Sequence, residues 1–109
     1  MRTGTYGKDT LMITKVHNAD GKKIITITDS QLMGKKFVDG VKQLDLNGEF
    51  YKGEEKTEEE IKDLCTSAYI IHFVGKQSVG MGMNMGLIER DNIIKIRNIP
   101  HAEVIFVGG

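Results

Sequence analysis

The sequence has one cysteine, one proline and no tryptophan in 109 residues, and it carries as many basic as acidic side chains. A single cysteine excludes an internal disulfide. That fits a reducing compartment, and the chain is read as cytoplasmic. The longest apolar runs, such as Ala68–Val74, are far too short to cross a bilayer. The opening Met1–Gly7 lacks the apolar core of a secretory signal, so none is expected. Zero net charge argues against a strongly nucleic-acid-binding domain, which is normally basic overall. The charges are unevenly placed, however. Residues 1–48 hold eight Lys/Arg against five Asp/Glu, and residues 49–63 hold three against seven. A local basic face therefore remains open, because binding responds to the local field as well as to the sum.

What is present describes a small α+β domain. A chain of this length can bury roughly 65% of its unfolded surface, enough for a core without metal or disulfide. Residues 1–9, small and polar, are expected to be a flexible tail, and residues 10–109 one domain. Leu11–His17 and Lys23–Thr28 are rich in β-branched residues and flank Asp20-Gly21, a strong hairpin signal. Asp29 or Ser30 can cap a short turn that Gly34 ends. Val41–Asn47 reads as a weaker strand. Thr57-Glu58-Glu59-Glu60 is a capping box, and Ile61, Leu64, Cys65, Ala68 and His72 follow helical spacing, which predicts a helix over 57–73. Residues 92–97 and 102–107 predict a closing pair of strands, with Asn98–His101 as their connector. The expected sheet is mostly antiparallel or mixed.

The usual chemical motifs fail on spacing. Cys65 and His72 on one helix would lie about 10 Å apart along its axis, too far to share a metal ion. Met81, Met83 and Met85 offer soft thioethers, but they serve a core or an adaptable surface equally well. Gly75–Gly80 has the glycine spacing of a phosphate loop, yet Met81 and Gly82 stand where Lys and Ser/Thr are required. Gly80 and Gly82 start a dinucleotide pattern that Met85 breaks. Gly4–Gly7 has the G-x-x-G of a KH loop without its flanking helices. A backbone anion site at a helix start near Gly75–Ser78 stays open. Lys35, Lys36, Phe37, Phe50, Tyr51 and Lys52 mix basic and aromatic side chains. Exposed together they would stack bases and meet phosphates; alternatively, Phe37 and Phe50 are core and the lysines solvate its rim. Val79–Gly86, read from pattern alone, leans to strand or loop, because its glycines cost a helix ~1 kcal/mol each relative to alanine.

Several residue groups in order carry a resemblance. They are Leu32-x-Gly34-Lys35, Phe50-Tyr51-x-Gly53-Glu54, Val74-Gly75-Lys76, Gly86-Leu87-Ile88 and Ile99-Pro100-His101-Ala102-Glu103-Val104. In that order, over residues 11–107, the chain resembles the archaeal domain-of-unknown-function family 424. The resemblance implies a small α+β domain, a helix over residues 76–86 held by packing rather than propensity, and a translation-related context. It implies no activity, cofactor or catalytic residue.

Three functional expectations result. The first is a non-catalytic RNA- or ribonucleoprotein-associated module. In it Lys35, Lys36 and Lys52 meet phosphates, Tyr51 stacks and His101 borders the site. The second is a ligand-binding domain or small enzyme with a site near Gly75–Ser78, including Gly75 and Lys76, and His101. The third is a protein-interaction or homo-oligomeric module using Met81–Met85. No cofactor, metal or membrane partner is expected.

Overall fold

The computed structural model describes residues 11–106; the expected tail and the last three residues lie outside this range. Strands β1 (Met12–Ala19) and β2 (Lys22–Asp29) form the expected antiparallel hairpin, from Met12 opposite Asp29 to Ala19 opposite Lys22. Gly21 at its turn has φ 77°. A single turn of 3-10 helix at Ser30–Leu32 leads into β3 (Lys36–Asp39) and β4 (Lys42–Asp45), a two-stranded ribbon of its own. Next come β5 (Glu54–Lys56), helix α1 (Glu58–Cys65), β6 (Ile70–Val74), helix α2 (Lys76–Asn84), β7 (Ile94–Ile96) and β8 (Ile99–Ile105). The main sheet has the order β5-β1-β2-β6-β8-β7, and every neighbouring pair is antiparallel except β2 with β6.

Four features differ from the sequence reading. The capped helix is real, with Thr57 Oγ1 accepting from Glu60 N and Glu60 Oε1 accepting from Thr57 N, but it stops at Cys65. Residues 70–74 are instead a central strand. Its β-branched run alternates between the two sides of the sheet, and the helical match of Ala68 and His72 was coincidental. Residues 36–39, to which the sequence assigned no strand, form β3 and pair with β4. Asp29 does not cap the short turn beside it. Pro100 and His101 lie inside β8, because Arg97 and Asn98, both at positive φ, make the two-residue turn between β7 and β8.

Each face of the sheet covers a different core. On one side Ile25, Ile27, Ile71, Phe73 and Ala102 pack against Ile61 and Cys65 of α1 and Val79 and Met81 of α2. Segment 76–84 is helical despite its glycines because α2 must lie close to the sheet. A Cβ on Gly82 would collide with Ile88 and would crowd Phe73. On the other side, β3, β4 and the segment after them cover only one end. Leu44 and Leu46 meet Val74 and Ile96 there, with Phe37, Tyr51 and Ile99 at the margin.

Candidate functional site

Beyond that second core the sheet face lies open, and it is where the chain's histidines converge. Residues two apart on a strand share a side, and the register sets His17 of β1, Thr26 of β2, and His72 of β6 beside His101 and Glu103 of β8 on this face. All three histidines of the sequence are thus brought to one side. The segment after β4 lays Phe50 over them. Its ring stacks on His17 at 4.4 Å between centroids and 14° between planes. It meets Tyr51 and His72 edge-on at 5.1 and 5.9 Å. Phe50 remains 42% exposed, so it is not the core residue its composition suggested.

A hydrogen bond fixes one imidazole, and a carboxylate lies beside a second. A carbonyl can only accept, so His17 Nε2 donates to Phe50 O at 2.8 Å and Nδ1 is the free nitrogen. His72 Nε2 lies 3.3 Å from a carboxylate oxygen of Glu103. Burial holds the His72 imidazole below its ordinary pKa; Glu103 pulls it upward and His17 pushes it further down. His101 is also held low, first by burial and then by repulsion from His72 and Lys42. Its Nε2 is buried without a hydrogen-bond partner among the described residues, as is the Thr28 hydroxyl. Both belong to strands flanking Val74, at the covered end of the face. The Tyr51 phenol is pushed up by burial and by Asp45.

The other residues singled out from the sequence scatter. Lys35 and Lys36 are exposed where the chain enters β3. Lys52 is exposed, pairs with Glu49 at 3.2 Å, and borders a hollow of about 440 Å³ with Met33, Gly34 and Leu46. Tyr51 is half-buried against the second core. Gly75 and Lys76 begin α2 and do not form an open anion cradle. The Asp29 carboxylate, from the end of β2, accepts from Gln77 N at 2.9 Å and from Ser78 N and Ser78 Oγ at 2.8 Å. The helix start thus holds an anion already, from its own chain. Gly75 has φ 107°, and a Cβ there would strike Asp29. Met81 is fully buried, which leaves Met83 as the exposed thioether of the trio and Met85 half-buried. Sequence reasoning missed His17, Phe50, His72 and Glu103 as neighbours. The signal for His72 was its alternation with Ile71 and Phe73, which reads as a two-sided strand.

Two further features bound the possibilities. Among the described residues no group of three or more His, Cys, Asp or Glu is placed to hold a metal ion. Nor is any helix there long and apolar enough to cross a membrane.

A family model described as "Protein of unknown function (DUF424)" matches residues 17–107. No curated protein matches the chain. A solved structure, the crystal structure of an uncharacterized conserved protein from Methanopyrus kandleri, is similar at a TM-score of 0.73 and 17% identity. The match covers 91% of this chain and 99% of that one, and at this identity it speaks to the fold.

Proposed function

The chain belongs to the DUF424 family of proteins of unknown function, and from its open sheet face we propose that it is a non-catalytic binding module for single-stranded RNA. The observation that carries this reading is Phe50. It is a solvent-exposed ring on a sheet, stacked on one imidazole and edge-on to another. A sheet with exposed aromatic rings accepts unpaired bases, because every base has a π-face to stack. Ile24 and Ile70, half-exposed on the same side, and Ile105, exposed, extend the apolar floor. Lys15 shares the face by register, and Lys52 follows Tyr51 in the chain; both supply phosphate contacts. Lys35 and Lys36 add a cationic approach at the covered end. Duplex RNA fits less well, since its bases are not free to stack on Phe50.

The test is fluorescence anisotropy with a labelled single-stranded 12-mer RNA and the same RNA annealed to its complement. Binding of the single strand should exceed that of the duplex. It should weaken about tenfold between 50 and 200 mM salt if two or three phosphates are contacted. No binding at 50 mM salt, or loss-free binding by Phe50→Ala, removes the reading.

A further inference from the structure

The face that would bind RNA carries few fixed positive charges, and its central groups are titratable. Lys15 and Lys22 are the lysines of β1 and β2 that the register sets on it, with Lys22 lying over the Tyr69 ring at 4.6 Å, and Glu103 supplies a negative charge beside His72. Of the three rings that Phe50 meets, two are imidazoles, His17 stacked and His72 edge-on. Resting on the RNA reading above, we propose that this site is proton-gated. A proton taken up by His72 places positive charge edge-on to Phe50 and cancels Glu103, and one taken up by His17 adds to it beneath the ring, so the phosphates of a base stacked there are held more tightly.

The surroundings suit such a gate. Each imidazole has one nitrogen tied, His17 Nε2 to Phe50 O and His72 Nε2 to Glu103. Both partners are acceptors, so the added proton goes to Nδ1, and neither ring's Nδ1 is among the buried atoms without a partner. His72 keeps 29% of its side chain exposed, enough for solvent and a ligand to reach it. From β8 the facing groups are Glu103 and His101, and from β1 Lys15. From β4, Lys42 acts on His101. From the segment after β4 come the paired Glu49 and Lys52 and the neutral phenol of Tyr51. From β2 the face presents the uncharged Ile24 and Thr26 and, at its far end, Lys22, and from β5 it presents Glu55 beside Ile13. Glu103 is therefore the one carboxylate set directly against the pair. At high pH it repels RNA, and once His72 is charged it is neutralised. His101 is a poor gate, because its buried Nε2 would hold a proton with no acceptor.

Two added cations should steepen the salt dependence of single-strand binding by about 1.4 in log–log slope. Affinity for a labelled single-stranded 12-mer RNA should rise about tenfold from pH 7.5 to 5.5 at fixed ionic strength. The double variant His17→Gln/His72→Gln should hold this change below about twofold, and Glu103→Gln should tighten binding at pH 7.5. With only three histidines, ring-proton NMR follows each titration in the unsubstituted protein. By linkage, RNA must raise the His17 and His72 midpoints if protons tighten RNA. That readout stands even if the double variant fails to fold. RNA binding that is flat with pH, or midpoints that RNA leaves unmoved, overturns the gate and leaves the RNA reading standing. Absence of RNA binding at both pH values overturns both.

Discussion

The two faces of the sheet solve opposite problems with the same strands. One is sealed by α1 and α2, and its central residues, Ile25, Ile27, Ile71 and Phe73, are fully buried. The other is closed at one end by the β3–β4 ribbon and left open at the other, where histidine, threonine and glutamate alternate with those same core residues. Phe73 and Phe50 make the contrast sharp. Both are aromatic and both lie against this sheet, one without solvent contact and the other exposed over two imidazoles. Large buried side chains set stability, and a ring left in water beside polar groups contributes little to it.

Substitutions can break this contrast, and the largest effect should come from the sealed face. Phe73→Ala should cost about 4 kcal/mol in urea denaturation, whereas Phe50→Ala should cost under about 1 kcal/mol there. The same Phe50→Ala should weaken single-strand RNA binding about tenfold by anisotropy. Asp29→Ala comes next, at about 3 kcal/mol, because it strands the buried Ser78 amide and hydroxyl and the part-buried Gln77 amide. If Asp29→Ala melts with the wild type, the carboxylate is not the organising cap described above.

The effect of pH on stability is smaller. His72 and His101 have folded pKa values below their unfolded ones. Their contribution is therefore complete above about pH 6.5 and is lost as pH falls through that value toward the folded pKa. The urea midpoint should drop between pH 7 and 5, and less so in His72→Gln/His101→Gln. The smallest expected change is at Cys65. Burial pushes its thiol up to about 11, so iodoacetamide at pH 8 should leave the native protein unmodified by mass spectrometry while alkylating it in urea. Rapid native alkylation would mean that the sealed face opens readily.

Much of the sealed face was legible in the sequence, and little of the open one. The hairpin rests on Asp20-Gly21 between β-branched runs, and α1 on a capping box, both local signals. The end of α1 was hidden because Ile61, Leu64, Cys65 and Ala68 share a helical stripe that His72 happens to continue. Ile70–Val74 is too short for its two-residue period to outvote that stripe. The two-residue turn at Arg97-Asn98 lacks glycine, so Pro100 took the role of punctuation although it sits in β8. The site was harder still. Its members come from β1, β6, β8 and a loop, and only the parallel pairing of β2 with β6 makes them neighbours. No spacing within the chain encodes that pairing.

Asp29 bears on the order in which the chain assembles. It stands at the end of the first hairpin, and the amides it caps lie 48 and 49 residues later. Between them runs the whole excursion through β3, β4, β5, α1 and β6. Helix α2, nine residues of which two are glycines, Gly80 and Gly82, is too short and too weak to persist alone in water. It can be capped only after β6 has docked beside β2 and carried its first turn to the waiting carboxylate. The hairpin and α1 can thus form early from local contacts, whereas α2 is a late event tied to closure of a long loop. Asp29→Ala should accordingly speed unfolding far more than it slows folding.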